Sequence, residues 1–206
     1  MSEKESKIKT LFQEIQRGSR DAFNHLFNLY YTKLVAFARQ YTGQMGGAEE
    51  ICSELFVKLW LKRNSLSGIL NPEVYLYVSV KNACLNLIRS EKKRANLFSE
   101  EEGHPSVEIT SRSYSSLEDK ELMRLLTVAV SSLPEQRKII FRLIKEDGFK
   151  AAEVAQILGI SKRTVENQLY KAVKTLADAI STYLGYHPQS GTVKRQLSKL
   201  SMFLFV

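Results

Sequence analysis

Apolar residues recur at spacings of three and four in nearly every long segment of this 206-residue chain, and that period constrains the fold most. Ile8, Leu11, Phe12 and Ile15 fall on one side of a helix wound at about 3.6 residues per turn. Beyond Gly18 a second stripe runs through Ala22, Phe23, Leu26, Phe27, Tyr30, Leu34 and Phe37. Gly43, Gly46 and Gly47 read as a break, and Ile51, Leu55, Phe56 and Leu59 form a third stripe. Residues 64–70 read as a loop ending in Asn71-Pro72, where Asn can cap a helix and Pro is tolerated at its first position. The helix this predicts carries Tyr75, Val78, Cys84, Leu85 and Ile88 and ends in Lys92-Lys93-Arg94, cations that complement the negative end of the helix dipole.

The period lapses over residues 96–114, which are acidic and rich in turn formers, and this stretch reads as a linker. It resumes at Ser115-Ser116-Leu117-Glu118, which has the form of a capping box, and continues through Leu122, Leu125, Leu126 and Ala129. Leu133-Pro134 opens another helix with Ile139, Ile140, Leu143 and Ile144, closed by Gly148. No segment alternates as a strand would, and only 10 Gly and 4 Pro disfavour a turn-rich β fold. The expected class is all-α: a four-helix domain over 1–95, a flexible linker over 96–114, a second small helical domain over 115–185 and a tail over 186–206.

Charge is distributed in a way that points to a polyanion. The net charge is +8, made of +5 over residues 1–100, −3 over 101–130 and +6 over 131–206. Two basic blocks around an acidic stretch suggest two modules that face nucleic acid and a connector that does not. Enzyme chemistry finds no foothold. His25, His104 and His187 have no partners at ligand spacing, and neither Cys52 nor Cys84 has a second cysteine nearby. A phosphate-binding glycine loop, a nucleophile elbow and a carboxylate pair are all missing, so no catalytic residue, metal or cofactor is expected. The polar N-terminus does not resemble a signal peptide, and the apolar runs at 125–130 and 202–206 are too short to cross a bilayer. A cytoplasmic protein without stable membrane insertion is the expectation.

The sharpest motif spans residues 151–176. A short helix ends at Gly159, which can take a left-handed turn cheaply, and Ser161 can cap the helix that follows. Val165, Leu169, Ala172, Val173 and Leu176 form the buried stripe of that helix. Its other face carries Lys162, Arg163, Glu166, Asn167, Tyr170, Lys171 and Lys174. This is the pattern of a helix-turn-helix, whose second helix lies in a major groove with its first residues toward the bases. Arg163 and Lys162 suit phosphate or guanine, Glu166 can accept from cytosine and Asn167 can read adenine. Ser161, Thr164 and Lys171 complete the candidate set for duplex contact. Along residues 75–94, Asn82 and Asn86 interleave with Lys81, Arg89, Lys92, Lys93 and Arg94, a mix suited to single-stranded nucleic acid. Tyr75 and Tyr77 read as packing residues.

Residues 133–176, from Leu133-Pro134-Glu135-Gln136-Arg137 through Asp147-Gly148-Phe149 to Thr164-Val165, resemble the fourth conserved region of bacterial sigma factors. Residues 21–94 are similar to the second, through Ala48-Glu49-Glu50-Ile51-Cys52-Ser53-Glu54-Leu55-Phe56 and through the run from Tyr75 to Arg89. Both regions in a chain this short, with no third domain between them, resemble the extracytoplasmic-function group. That resemblance implies binding to core RNA polymerase and promoter DNA. The helix-turn-helix would read the upstream (−35) element as duplex. Lys81, Asn82, Asn86, Arg89, Lys92, Lys93 and Arg94 would hold the downstream (−10) element as single strand, and the loop over 64–71 would accept a flipped base. Glu49, Glu50 and Glu54 would dock on the clamp helices of polymerase, and an anti-sigma factor is implied as a further partner. The chain departs from the family pattern at Gly47 and Ser53, which receive no role. Two competing readings are a one-component regulator that binds operator duplex, and an adaptor that binds polymerase without reading DNA.

Overall fold

The computed structural model describes residues 3–95 and 117–183, and the chain divides into two compact units. The first holds four α-helices, α1 (Glu3–Gln16), α2 (Arg20–Thr42), α3 (Met45–Leu61) and α4 (Pro72–Ala95), with a short 3-10 helix at Arg63–Gly68. The second holds α5 (Leu117–Ser131), α6 (Glu135–Lys145), α7 (Ala151–Leu158) and α8 (Lys162–Tyr183). No strand occurs among the described residues. The expected linker and tail lie outside them, as do Ser115 and Ser116 of the expected capping box.

Each helix of the first unit starts and stops where local chemistry dictates. Ser19 caps α2 by accepting from the Ala22 N–H at 3.2 Å, and Gly43 ends it at φ 68°, a left-handed conformation that would strain any residue bearing a Cβ. Asn71 caps α4 as expected, its Oδ1 accepting from the Val74 N–H at 3.2 Å. The break at residues 43–47 is shorter than the glycine run suggests. Gly46 and Gly47 lie inside the first turn of α3, where neither has a positive φ and a Cβ on Gly47 would meet Leu87 of α4 only at ordinary contact distance. Residues 64–70 are likewise not a plain loop, because Leu66 is buried within the 3-10 turn.

The α1 stripe of Ile8, Leu11, Phe12 and Ile15 is buried throughout, and meets Leu26, Tyr30 and Leu34 of α2 in the same core. Ile51, Cys52, Leu55, Phe56 and Leu59 come from α3, and Leu76, Tyr77, Val80 and Cys84 from α4. Phe23 and Phe27 pack edge-on against Phe56 with centroids 6.1 and 4.9 Å away, which joins α2 to α3. Burying each such side chain contributes roughly 1.5–3 kcal/mol, and this core is what holds the polar face of α4 rigid.

In the second unit Ala129, Val130, Leu133, Phe141, Ala172 and Leu176 make one apolar cluster, with Leu169 and Val173 packed against it. Arg137 Nε donates to Gln168 Oε1 at 3.3 Å and ties α6 to α8. The Lys150 N–H donates to the Glu153 carboxylate at 2.8 Å and starts α7, whose Val154 and Ile157 are fully buried.

Candidate functional site

The geometry of the second unit's site follows from one residue. At Gly159 φ is 72°, and both Gly159 and Ile160 donate their N–H groups to the Ala155 carbonyl, at 2.9 and 3.1 Å. The chain thereby reverses within two residues and starts α8 at Lys162. Ser161 Oγ accepts from the Thr164 N–H at 3.0 Å and lies 2.8 Å from Thr164 Oγ1. Ser161 and Thr164 together build the helix start.

Val165 is fully buried and sets the phase of α8. At about 100° per residue, Arg163, Glu166, Asn167, Tyr170 and Lys174 fall on one outward face, and all are exposed. Lys162 and Lys171 sit roughly a quarter turn to either side. Lys162 Nζ lies 3.5 Å from Glu166 Oε1, an exposed pair worth only a few tenths of a kcal/mol, so either side chain can leave the other at little cost. Tyr170, 67% exposed, was not among the expected contact residues, although it stands seven positions after Arg163 on the same face.

On α4 the fully buried Leu76, Tyr77, Val80 and Cys84 mark the inner face. The opposite face carries Asn82, Asn86, Arg89 and Lys93 in one exposed row. Tyr75 begins that row and is 38% exposed, whereas Tyr77 is core. Of the two tyrosines read as packing residues, Tyr77 lies in the core and Tyr75 at its rim. Lys81 is half-buried toward one flank, and Lys92 and Arg94 are exposed on the two flanks. The 3-10 turn precedes this row, with Leu70 almost fully exposed and Arg63 stacked 4.9 Å over the Trp60 ring.

Glu50 and Glu54 share an outward face of α3, and Glu49 is exposed about a quarter turn away. Glu54 is ion-paired with Lys58. The same face presents Val57 and Leu61, 57% and 70% exposed, which a search for acidic residues alone passes over. Tyr31 of α2 reaches its rim, with its hydroxyl 3.5 Å from Ser53 Oγ. A face with carboxylates and bare aliphatic side chains side by side is what a protein partner, rather than nucleic acid, can bind.

The two cysteines are buried; desolvation pushes the Cys52 thiol up to about 12, with Cys84 adding to it, and raises Cys84 to about 11. Cys84 Sγ points at the Ala38 carbonyl, 3.9 Å away. Both behave as small apolar residues. Among the described residues no helix is long and apolar enough to cross a membrane, and no cluster of His, Cys, Asp or Glu could hold a metal ion.

Comparison with known proteins assigns both units. Residues 26–94 match the family model for sigma-70 region 2, and residues 123–176 match that for sigma-70, region 4. The chain is 22% identical over 179 residues to the ECF RNA polymerase sigma factor SigW of Bacillus subtilis, covering 84% of this chain and 96% of that protein. It is 24% identical over 182 residues to the ECF RNA polymerase sigma-E factor of Escherichia coli K12, covering 84% and 93%. Among solved structures it resembles the sigma factor RpoE from Bartonella quintana, in complex with the anti-sigma factor NepR. That likeness has a TM-score of 0.57 and 21% identity, over 77% of this chain and 96% of that one. CnrH in complex with the cytosolic domain of CnrY gives a TM-score of 0.53 and 17% identity, over 85% and 98%. At these identities the structural likenesses speak to the fold.

Proposed function

The chain belongs to the extracytoplasmic-function sigma factors, non-enzymatic proteins that bind core RNA polymerase and direct it to promoters, and from that premise we propose how its residues divide the work. The exposed face of α8 reads the upstream promoter element as duplex, with Arg163, Glu166 and Asn167 at the base edges. Lys162, Lys171 and Lys174 lie toward the phosphates, and Tyr170 lies against the groove wall. The row on α4 holds the downstream element as single strand. Asn82 and Asn86 bond to bases, while Lys81, Arg89, Lys92, Lys93 and Arg94 follow the backbone. The turn over 64–71 receives a flipped base. The α3 face with Glu50, Glu54, Val57 and Leu61 docks on polymerase, and Glu49 stands at its edge. Domain limits of 1–95 and 115–185 go with this division.

One observation supports the reading above others: two polar helix faces of different chemistry, each backed by its own core, occur in one chain in the order region 2, then region 4. A one-component regulator is not favoured, because its first half would be a sensor, and here the first half matches a promoter-reading region. The protein works in the cytoplasm, where polymerase and promoters are. Because two structurally similar proteins were solved with NepR and CnrY, an anti-sigma factor is a fitting partner for this chain too.

Purified protein added to core polymerase on fragmented genomic DNA tests the reading. Initiation at discrete sites that core alone ignores is expected, and no initiation from any fragment would overturn it. Glu54→Arg is expected to weaken the polymerase complex without changing which promoters are used.

A further inference from the structure

One surface of the first unit shares no residue with the faces assigned above to DNA and polymerase. Between α1 and α2 runs a groove of about 360 Å³. Ile8 and Leu11 form its floor, and Leu29, 40% exposed, forms one wall. Three lysines ring it: Lys4 and Lys7 on α1, Lys33 on α2. Lys4 is anchored by the buried Glu73 carboxylate at 2.7 Å, so its charge is held at one end of the groove. Lys7 and Lys33 are exposed and make no ion pair among the described residues.

An apolar trough with Lys7 and Lys33 on its rim selects its occupant by charge and by shape. Leucine-like side chains fill the trough and carboxylates meet the lysines. We propose that this groove docks an acidic, leucine-bearing segment of a protein partner. A nucleic-acid strand fits it poorly. Among the described residues Tyr30 is the only aromatic side chain lining it, is 4% exposed and offers no ring face to a base, and no Asn, Gln or Arg lines it to read base edges. The lysines supply attraction and orientation, and Leu29 supplies the apolar contact that tells leucine from serine, Ile8 and Leu11 being only 3% and 6% exposed beneath it.

The test uses the full-length protein and three fluorescein-labelled probes: a peptide of repeated Leu-Glu-Glu triplets, one of repeated Ser-Glu-Glu triplets, and an oligo-dT strand. Fluorescence polarisation is expected to show the leucine peptide binding at least about tenfold more tightly than the serine peptide. Lys7→Glu with Lys33→Glu should weaken the leucine peptide at least about tenfold and leave the oligo-dT affinity, which depends on α4, within about twofold. Leu29→Ser should weaken the leucine peptide and leave the serine peptide unchanged. All these positions are at the surface, and an unchanged circular dichroism melt confirms that the variants are folded. The proposal is overturned if the leucine peptide does not bind, if the two peptides bind alike, if the charge reversal leaves the leucine peptide unaffected, or if oligo-dT loses as much as the peptide does. None of these results bears on promoter reading, because the groove shares no residue with the faces assigned to it.

Discussion

The helices α4 and α8 are nearly equal in length, 24 and 22 residues, and both bury one face in an apolar core while exposing a polar one. They nevertheless present that face in opposite ways. On α8 the polar residues crowd the start of the helix, immediately after the Gly159 reversal and the Ser161 cap. A helix whose first turns carry its information fits end-first into a major groove, where only a few residues can reach base edges. On α4 the row is spread from Tyr75 to Lys93, along most of the helix. A long row with amides in the middle, a ring at one end and cations at the other matches an extended strand whose bases are splayed out. The phase of the buried residues decides what each helix exposes, and the position of the polar residues along it decides what form of DNA it can read.

The largest effect should come from testing whether the two units stand on separate cores. Leu76 is fully buried in the first unit, and Leu76→Asp places an unpaired carboxylate there. A loss of roughly 3–5 kcal/mol or more is expected, enough to unfold that unit. Two-dimensional NMR should then show collapsed first-unit resonances and an intact α5–α8 set. Loss of both sets would mean that the units depend on each other.

Next in size are substitutions that separate the two DNA faces. Arg163→Ala should cost about 1–3 kcal/mol in duplex promoter binding and leave polymerase affinity and single-strand capture unchanged. Tyr75→Ala should do the reverse, weakening single-strand capture by about 1–2 kcal/mol, with Tyr75→Phe restoring it if the ring stacks on a base. Electrophoretic shifts on duplex and on strand-mismatched promoter fragments, with holoenzyme, read both. If Arg163→Ala instead abolished the polymerase complex, the assignment of faces would be wrong. A smaller effect belongs to Ser161→Ala, which removes the cap of α8. The second unit should lose about 1 kcal/mol of thermal stability, and Ser161→Asp should recover most of it.

How much of this was readable beforehand depends on whether a feature is set by period or by phase. The stripes Ile8 to Ile15 and Ile51 to Leu59 were readable because a recurring spacing needs only a helix and a core. The Gly159 turn and the Asn71 and Ser161 caps were readable because few residues can make those turns. Residue type alone does not set which face a side chain occupies. Glu49, Lys81, Lys92 and Lys162 have the right chemistry but lie a quarter turn or more from the faces they were grouped with, because one residue along a helix rotates a side chain by about 100°. The same phase would have found Tyr75, seven residues before Asn82, and Val57 and Leu61, seven and eleven after Glu50. Gly46 and Gly47 misled for another reason. Their helix-breaking tendency of about 1 kcal/mol each is outweighed by the burial of Ile51, Cys52, Leu55 and Phe56 along the rest of α3.

Near neutral pH the smallest effect should be no effect at all, and it distinguishes the two cores by their chemistry. Cys52, Cys84 and Tyr41 all belong to the first unit, and desolvation raises them to about 12, 11 and 12. An unfolded thiol ionises near 9.0, so in the unfolded chain it releases its proton first. Burial of the neutral thiols therefore costs nothing below about pH 9, and the stability they allow is lost as pH rises from there through 11 and 12. The first unit should accordingly melt progressively earlier from pH 9 upward, and the second, which has no cysteine, should respond less. Iodoacetamide at pH 8 should leave both thiols unmodified in the folded protein and label them in urea. A Cys52→Ala, Cys84→Ala double variant should melt lower throughout but with a flatter alkaline slope. An alkaline slope as steep as that of the unsubstituted protein would show that other groups govern it, and rapid labelling of the folded protein would show that this core opens far more readily than its packing implies.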